Sequence, residues 1–334
     1  MTQTLFRRRG ARLAALIVCT SLLPSAASAR RAKGIDVSHF QGTMNWDTAY
    51  SQDVRFAFVR ASRGGTGSGT WGSQSLDDTQ FSANVLSLRN LAVNQNKVIY
   101  NGFYHYARPD MIAVNDGNNG GGSGFNFTNS QPSLATIIAN AQDEAQHFYN
   151  VVGSHYAPGG PDIGRRLRPV LDVEERGGPT GQDTGADALT RANLSLWVDT
   201  FLNRFQQLTG GVRPLLYMNN DYCTFNVDTS LADEDFWIAR WNQTSFGNPL
   251  TTGSPPTGVF GGAWDFWQYD SQNGLGTAYG AEPPPLASPD MDLNVANGDI
   301  NFVRTFLVPE PAGAAITMGL ALSWLTGSRR RRRV

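Results

Sequence analysis

Eight apolar runs of strand length recur along this chain, and the early ones are separated by segments with helical periodicity. Strands that alternate with helices favour a sheet covered by helices over a sandwich of two sheets. Helices are predicted over 78–94, 133–152 and 188–209, whereas the strands after Gly211 are joined mostly by loops. The predicted strands are 34–38, 56–62, 98–106, 168–174, 213–219, 236–241, 264–269 and 291–294. We therefore expect a single TIM-like (β/α) barrel that is helix-poor in its last third.

Acidic residues fall at or near the ends of several predicted strands. The run RPVLDVEE places Asp172 and Glu174 two positions apart, and therefore on one face of an apolar strand. Asp36 lies in GIDVS, and Asp292 lies in DMDLN. In a barrel such side chains converge at one mouth. Repulsion and partial burial would raise at least one pKa, giving the protonated acid and ionised partner that glycosidic bond cleavage requires.

Both ends of the chain carry sorting patterns. Residues 1–29 combine a basic stretch, an apolar core and an A-x-A cleavage signature, which predicts a signal peptide removed by signal peptidase. Residues 308–334 combine a Pro-Glu-Pro motif, a mostly apolar stretch and five consecutive arginines, and they resemble the PEP-CTERM signals that exosortase-type enzymes process. We expect a domain over 30–307 that is exported to the cell surface or beyond, with a transmembrane helix only in the C-terminal segment before processing.

The charge and cysteine content exclude several classes of function. Residues 30–308 hold 18 basic and 27 acidic side chains, a formal net charge of −9, so nucleic acid is not expected as a partner. Four scattered histidines provide no metal-ligand cluster, and no cofactor is expected. Cys223, the one cysteine left after the predicted signal peptide, has no evident base beside it, which predicts a packing thiol rather than a nucleophile.

An ordered series of short motifs resembles a known family. The motifs GIDVSHFQG, FAFVRAS, NGFYHY, DEAQHF, RPVLDVEE, PLLYMN, FWIARW, FWQY and DLN follow the order seen in glycoside hydrolase family 25, the Chalaropsis-type lysozymes or N-acetylmuramidases. The resemblance spans about 34–305. It implies a flattened barrel of about five βα units followed by further strands. It also implies hydrolysis of the β-1,4 bond between N-acetylmuramic acid and N-acetylglucosamine in peptidoglycan.

The same resemblance implies roles for individual residues. Glu174 corresponds to the proton donor, Asp172 to the acid that assists it, and Asp36 and Asp292 to substrate-binding acids of the first and last strand motifs. The aromatic positions that line the groove correspond to Tyr104, Tyr217 and Trp267. Two roles for Asp172 stay open: a covalent nucleophile, or a group that orients the substrate's own N-acetyl group as it attacks the anomeric carbon. His105 is expected to be structural.

One position departs from the family pattern. Where the family often reads K-A-T-E-G, this chain reads R-A-S-R-G, so Arg63 replaces a groove acid. The departure leaves open an alternative function as a non-catalytic cell-wall or exopolysaccharide binding protein on the same fold. A family 18-like chitinase is disfavoured, because the residues before Asp172 are Arg168, Pro169 and Val170 rather than part of a D-x-x-D-x-D-x-E run.

Overall fold

Eight strands close into one barrel in chain order. The computed structural model describes residues 30–65, 77–109, 112, 131–174, 189–241, 247–255, 264–271, 273–282 and 289–309. The strands are β1 Lys33–Val37, β2 Val54–Arg63, β3 Tyr100–Tyr106, β4 Val170–Asp172, β5 Leu215–Asn219, β6 Phe236–Ala239, β7 Phe266–Asp270 and β8 Asp292–Ala296. Neighbours from β1 to β7 are parallel, and β8 runs antiparallel to both β7 and β1. The predicted TIM-like barrel is therefore confirmed.

The long helices lie in the first two thirds of the chain. In the described ranges the α-helices are α1 Trp46–Ser51, α2 Phe81–Gln95, α3 Leu134–Tyr156, α4 Arg191–Leu208, α5 Asn220–Asn226 and α6 Ile300–Arg304. The two longest begin at hydroxyl caps, because the side chains of Ser133 and Thr190 accept hydrogen bonds from the first turns of α3 and α4. Among the described residues after α4 the helices are all short, as the sequence predicts.

The structure leaves the two predicted sorting segments untested. No helix among the described residues is both long and apolar enough to cross a bilayer. The predicted signal peptide at 1–29 and the predicted C-terminal transmembrane segment, from 310 onward, lie outside the described residues.

Aromatic side chains fill the amino-terminal half of the barrel. Phe58 stacks on Trp237 with ring centroids 4.5 Å apart, and Phe266 contacts Phe306, which follows α6, at 5.1 Å. Phe56 occupies the space beside Gly34, where any Cβ would meet its ring at 2.3 Å. The barrel is thus closed at this end, and an opening can form only at the other.

Candidate active site

Three of the predicted acids face the inside of the barrel at its carboxyl-terminal mouth. Asp36 lies near the end of β1, and Asp172 is the last residue of β4. Asp292 begins β8, and because β8 is antiparallel to β1 it pairs directly with Asp36. Asp36 and Asp172 are buried, with 4% and 6% exposure, and Asp292 is partly buried. We call these three residues the mouth cluster.

Glu174 lies above the mouth cluster at the surface. The amide of Val173 donates to the carbonyl of Tyr217, which continues the strand pairing past Asp172 and keeps Glu174 on the same face. Glu174 is exposed, and its charge raises the pKa values of Asp172 and Asp292. Glu174, which faces solvent, is therefore close enough to Asp172 and Asp292 to interact with them electrostatically.

Asp36 is the acid of the mouth cluster that side-chain amides stabilise by hydrogen bonds. Its Oδ2 accepts hydrogen bonds from Asn294 Nδ2 at 2.8 Å and from Gln268 Nε2 at 3.0 Å. Burial raises the pKa of Asp36 to about 6, against the opposing effect of these bonds and one to Asp292. Burial, followed by the charges of Asp36 and Glu174, raises the pKa of Asp292 to about 9. Burial therefore favours a proton held between Asp292 and Asp36, with Asp292 the more strongly perturbed of the two.

Asp172 is held in a setting that disfavours its charge. Burial, then the charges of Glu174 and Asp36, raise its pKa well above the usual range, and Arg60 opposes them. Its Oδ1 is buried and accepts no hydrogen bond within the described part of the chain. Because Asp172 and Glu174 repel each other when both are ionised, ionisation of one disfavours ionisation of the other, and the two carboxyl groups titrate as a pair. The Oδ1 atom of Asp172 can therefore accept a hydrogen bond from a bound molecule.

Amide and aromatic side chains form a second layer around the mouth cluster. Gln268 Oε1 accepts from the Tyr217 hydroxyl and from Trp241 Nε1, both at 2.9 Å. Trp237 Nε1 donates to Asn294 Oδ1 at 2.8 Å. The sequence analysis missed Gln268, Asn294 and Trp241 as site residues, although the two-residue alternation of FWQ and DLN places both amides on the inward face.

The predicted groove aromatics divide into two groups. Tyr104 and Tyr217 face the barrel interior and are almost fully buried, and the mouth cluster contributes to the raised pKa of each. Trp267 faces the opposite way. It is fully buried in the layer outside the barrel, where it packs against Trp264 and donates to the carbonyl of Arg240.

The expectation that Trp267 lines the groove is therefore wrong, because its side chain lies outside the barrel. Phe266 and Gln268 face inward on β7, so the residue between them must face outward. The half-exposed indole near the mouth is Trp241, with 50% exposure, which hydrogen-bonds to the same Gln268 that contacts Asp36. Trp241, and not Trp267, offers an aromatic surface to a ligand.

Arginines line the β2 and β3 side of the same mouth. Arg60 is nearly buried and donates to Asp78 Oδ2 at 2.9 Å, and its charge lowers the pKa values of Asp172 and Tyr104. The register of β2 against β3 shifts between Arg60 and Ser62. After this bulge Arg63 pairs with Tyr106 at the strand ends.

A second buried polar group lies outside the barrel. Ser62 Oγ contacts His105 Nδ1 at 2.9 Å, and His105 Nε2 contacts Glu144 Oε2 at 3.1 Å. All three are buried, and burial lowers the pKa of His105 to about 3. We call these residues the outer cluster. Cys223 is also buried, and burial raises the pKa of its thiol to about 12, as for an unreactive packing thiol.

The chemistry of this mouth is that of paired carboxyl groups. Among the described residues, no set of three or more His, Cys, Asp or Glu side chains is arranged to hold a metal ion. One exposed acid above a buried, proton-sharing acid can donate a proton and stabilise developing positive charge. Such pairs cleave glycosidic bonds.

Comparison with known proteins leads to the same chemistry. Residues 134–276 match the family model described as Glycosyl hydrolases family 25. The chain is 26% identical over 269 residues to Lysozyme M1 of Streptomyces globisporus, covering 80% of this chain and 68% of that protein. It is 23% identical over 242 residues to the N,O-diacetylmuramidase of Arthroderma benhamiae, covering 71% and 75% respectively.

Solved structures share the fold. The bacterial lysozyme from Streptomyces coelicolor superposes with a TM-score of 0.55 at 22% identity, covering 83% of this chain and 97% of that one. The muramidase from Trichobolus zukalii gives a TM-score of 0.53 at 20% identity, covering 83% and 99%. The family match and the two sequence relatives agree on one enzyme class, the glycoside hydrolases, and this chain is similar to those of family 25.

Proposed function

We propose that this protein hydrolyses the β-1,4 bond between N-acetylmuramic acid and N-acetylglucosamine in peptidoglycan. The proposal rests on the position of exposed Glu174 two residues after buried Asp172, at a mouth that holds two further acids. The sequence relatives, a lysozyme and a muramidase, support the same substrate. The glycan strand would lie across the mouth.

In the proposed mechanism the proton shared by the acid pair resides on Glu174. Glu174 gives that proton to the glycosidic oxygen, so the N-acetylglucosamine side leaves as an alcohol. The C–O bond breaks as the carbonyl oxygen of the substrate's N-acetyl group attacks the anomeric carbon. Water then attacks the same carbon and breaks its bond to the N-acetyl oxygen, so the N-acetyl group is regenerated. Glu174 takes the proton from the water, which restores the starting state with retained configuration.

Asp172 assists this step through its buried carboxylate. Transfer of the pair's proton to Glu174 leaves Asp172 ionised. The Oδ1 atom of Asp172 accepts no hydrogen bond within the described residues. It would accept one from the N–H of the N-acetyl group and stabilise the positive charge that develops on that group.

The bound sugar would be positioned by the aromatic residues and the remaining acids. Trp241 provides an exposed ring for the apolar face of a sugar, and Tyr104 and Tyr217 bound the mouth from inside. Asp36, which Gln268 and Asn294 hold by hydrogen bonds, and Asp292 act as substrate-binding acids in this proposal.

We also propose that the protein works outside the cytoplasm. Residues 1–29 would direct export and be removed by signal peptidase, and residues 308–334 would serve as a PEP-CTERM signal that anchors the chain transiently until an exosortase-type enzyme processes it. Detecting the shortened mature N-terminus and C-terminus by mass spectrometry of the secreted protein would test both.

Product analysis tests the proposed reaction. The purified protein and its Glu174→Gln variant would be incubated with purified peptidoglycan, and the released reducing ends identified by mass spectrometry. We expect new N-acetylmuramic acid reducing ends from the wild type only. Binding to the sacculus without any release from pH 4 to 8 would instead indicate the non-catalytic wall-binding alternative.

A further inference from the structure

Three arginines meet at the ends of β2 and β3. Arg60 pairs in register with Tyr104, and Arg63 pairs with Tyr106 at the last position of both strands. The amide of Gly64 donates to the carbonyl of Tyr106 at 3.1 Å, which keeps the two chains together beyond this pair. Arg108 follows two residues after Tyr106, and its charge acts on Arg63. We call Arg60, Arg63 and Arg108 the arginine cluster.

Buried groups fix the backbone and the side chains that carry this cluster. Arg60 is held by Asp78, whose side chain is 1% exposed. The amide of Arg108 donates to Glu144 Oε2 at 3.0 Å, and the amide of Ala107 donates to the carbonyl of Asp172 at 2.8 Å. The arginine cluster is therefore tied directly to the strand that carries the proposed catalytic acids.

Electrostatics indicate that the cluster concentrates positive charge beside the cleavage site. Burial lowers the pKa of Arg63, and the charges of Arg108 and Arg60 lower it further. Arg63 and Asp172 pair in register with the same residue of β3, Tyr106, so the cluster lies beside the acids. Arg60 also acts on the pKa of Asp172. Holding like charges together costs free energy, and residues 30–308 as a whole are acidic, with a formal net charge of −9. Arg63 remains partly exposed at the rim.

We propose that Arg63, supported by Arg108 and Arg60, binds a carboxylate carried by the glycan next to the bond that Glu174 cleaves. Guanidinium groups bind carboxylates through paired, charge-assisted hydrogen bonds, which suits this site to an anionic ligand. In peptidoglycan the carboxylate belongs either to the lactyl group of muramic acid or to the peptide attached to it. The inference rests on the proposed function, since it names the part of that substrate which this chain selects.

A binding experiment in the Glu174→Gln background separates this inference from catalysis. Titration calorimetry would use three ligands of equal length: glycan fragments with peptides, glycan fragments stripped of peptides so that the lactyl carboxylates are free, and neutral N-acetylglucosamine oligomers. Adding Arg63→Gln should weaken binding of a carboxylate-bearing ligand roughly tenfold and change binding of the neutral oligomer less than about twofold. The ligand that loses affinity identifies the source of the carboxylate.

Further variants control for charge and for folding. Arg63→Lys should retain part of the affinity, because it keeps the charge but loses the paired geometry. Arg89→Gln, on α2 and 53% exposed in its side chain, should change none of the three affinities. Independently of any substitution, added salt should weaken binding of the carboxylate-bearing ligand and spare the neutral oligomer.

Equal losses for charged and neutral ligands, or no loss for any ligand, would overturn the inference. The inference would also be overturned if the affinity for the carboxylate-bearing ligands did not change with salt concentration. Failure of the proposed function has a different signature, because a protein that never releases reducing ends can still show the Arg63-dependent preference for carboxylates.

Discussion

The mouth cluster and the outer cluster are both buried and polar, yet they follow opposite electrostatic rules. The outer cluster chains one hydroxyl, one imidazole and one carboxylate by contacts of 2.9 and 3.1 Å. The mouth cluster instead gathers three carboxyl groups. Burial raises the pKa of each, and the charges of neighbouring acids add to the effect for Asp172 and Asp292. The first arrangement gives each group a polar neighbour, and in the second arrangement burial favours protonated carboxyl groups.

This difference shows which feature points to a reactive site. Burial and hydrogen bonding alone describe the outer cluster, which has the hydroxyl, imidazole and carboxylate of a hydrolase triad but is closed to solvent. The mouth cluster differs because Glu174 connects it to solvent. An excess of acids with one exposed member therefore separates a catalytic candidate from a structural network.

The largest expected effect comes from removing the proton donor. Glu174→Gln keeps the shape of the side chain and removes the acid, so turnover of peptidoglycan should fall by about a thousandfold. Because Glu174 is exposed, the melting temperature should stay within about 2 °C of the wild type. Turbidity clearance and differential scanning calorimetry would measure the two quantities, and retention of wild-type turnover would remove Glu174 from the mechanism.

Disrupting the outer cluster should have the opposite profile. His105→Ala removes a fully buried ring and leaves Glu144 with one contact fewer, which should cost about 3 kcal/mol in the free energy of unfolding. We expect the melting temperature to fall by about 6–12 °C, with turnover preserved well below the new transition. Loss of turnover in a folded variant would mean that the outer cluster takes part in catalysis.

The two tryptophans near β7 provide a smaller and more local test. Trp241→Ala should raise KM about tenfold with little change in kcat or melting temperature, because its half-exposed ring would contact substrate. Trp267→Ala should lower the melting temperature and leave KM unchanged at temperatures where it is folded. The reverse pattern would restore Trp267 as the groove residue.

The pH dependence of stability should reveal the acid excess of the mouth cluster. A carboxyl group whose pKa is higher in the folded protein binds its proton more tightly there, so its contribution to stability is complete near pH 4 and declines up to its folded pKa, about 9 for Asp292. Asp292→Asn removes this contribution. The variant should lose less stability between pH 5 and pH 8 and melt about 2–5 °C above the wild type at pH 8.

The smallest expected effect concerns the charge beside Asp172. Arg60 lowers the pKa of Asp172, so Arg60→Gln should raise that pKa and make the ionised form scarcer at low pH. The acidic limb of the pH–rate profile should therefore move upward by about half a pH unit, a shift typical of one nearby charge. An unchanged limb would show that Asp172 does not control it.

The sequence predicted the barrel because its strands have strong local signals. All eight predicted strands overlap observed ones, and the D-x-E spacing correctly indicated that Asp172 and Glu174 share a face. Helices α1, α5 and α6 were not predicted, because five to seven residues are too few to show helical periodicity.

The second layer of the site was harder to predict. Gln268 and Asn294 carry no charge, so nothing in the sequence distinguishes them from surface amides until their strand faces are known. The sequence analysis placed Trp267 in the groove because of its aromatic motif. The alternation of side chains along β7 instead directs it away from the barrel interior. Arg108 joins Arg63 only through the pairing of β2 and β3, which residue spacing does not show.

The most direct test measures turnover and melting temperature side by side for Glu174→Gln and His105→Ala. If the mouth cluster is catalytic and the outer cluster structural, Glu174→Gln loses muramidase turnover without melting earlier, and His105→Ala melts earlier without losing turnover per folded molecule. Glu174→Gln with wild-type turnover, or a fully folded His105→Ala without turnover, would contradict that assignment.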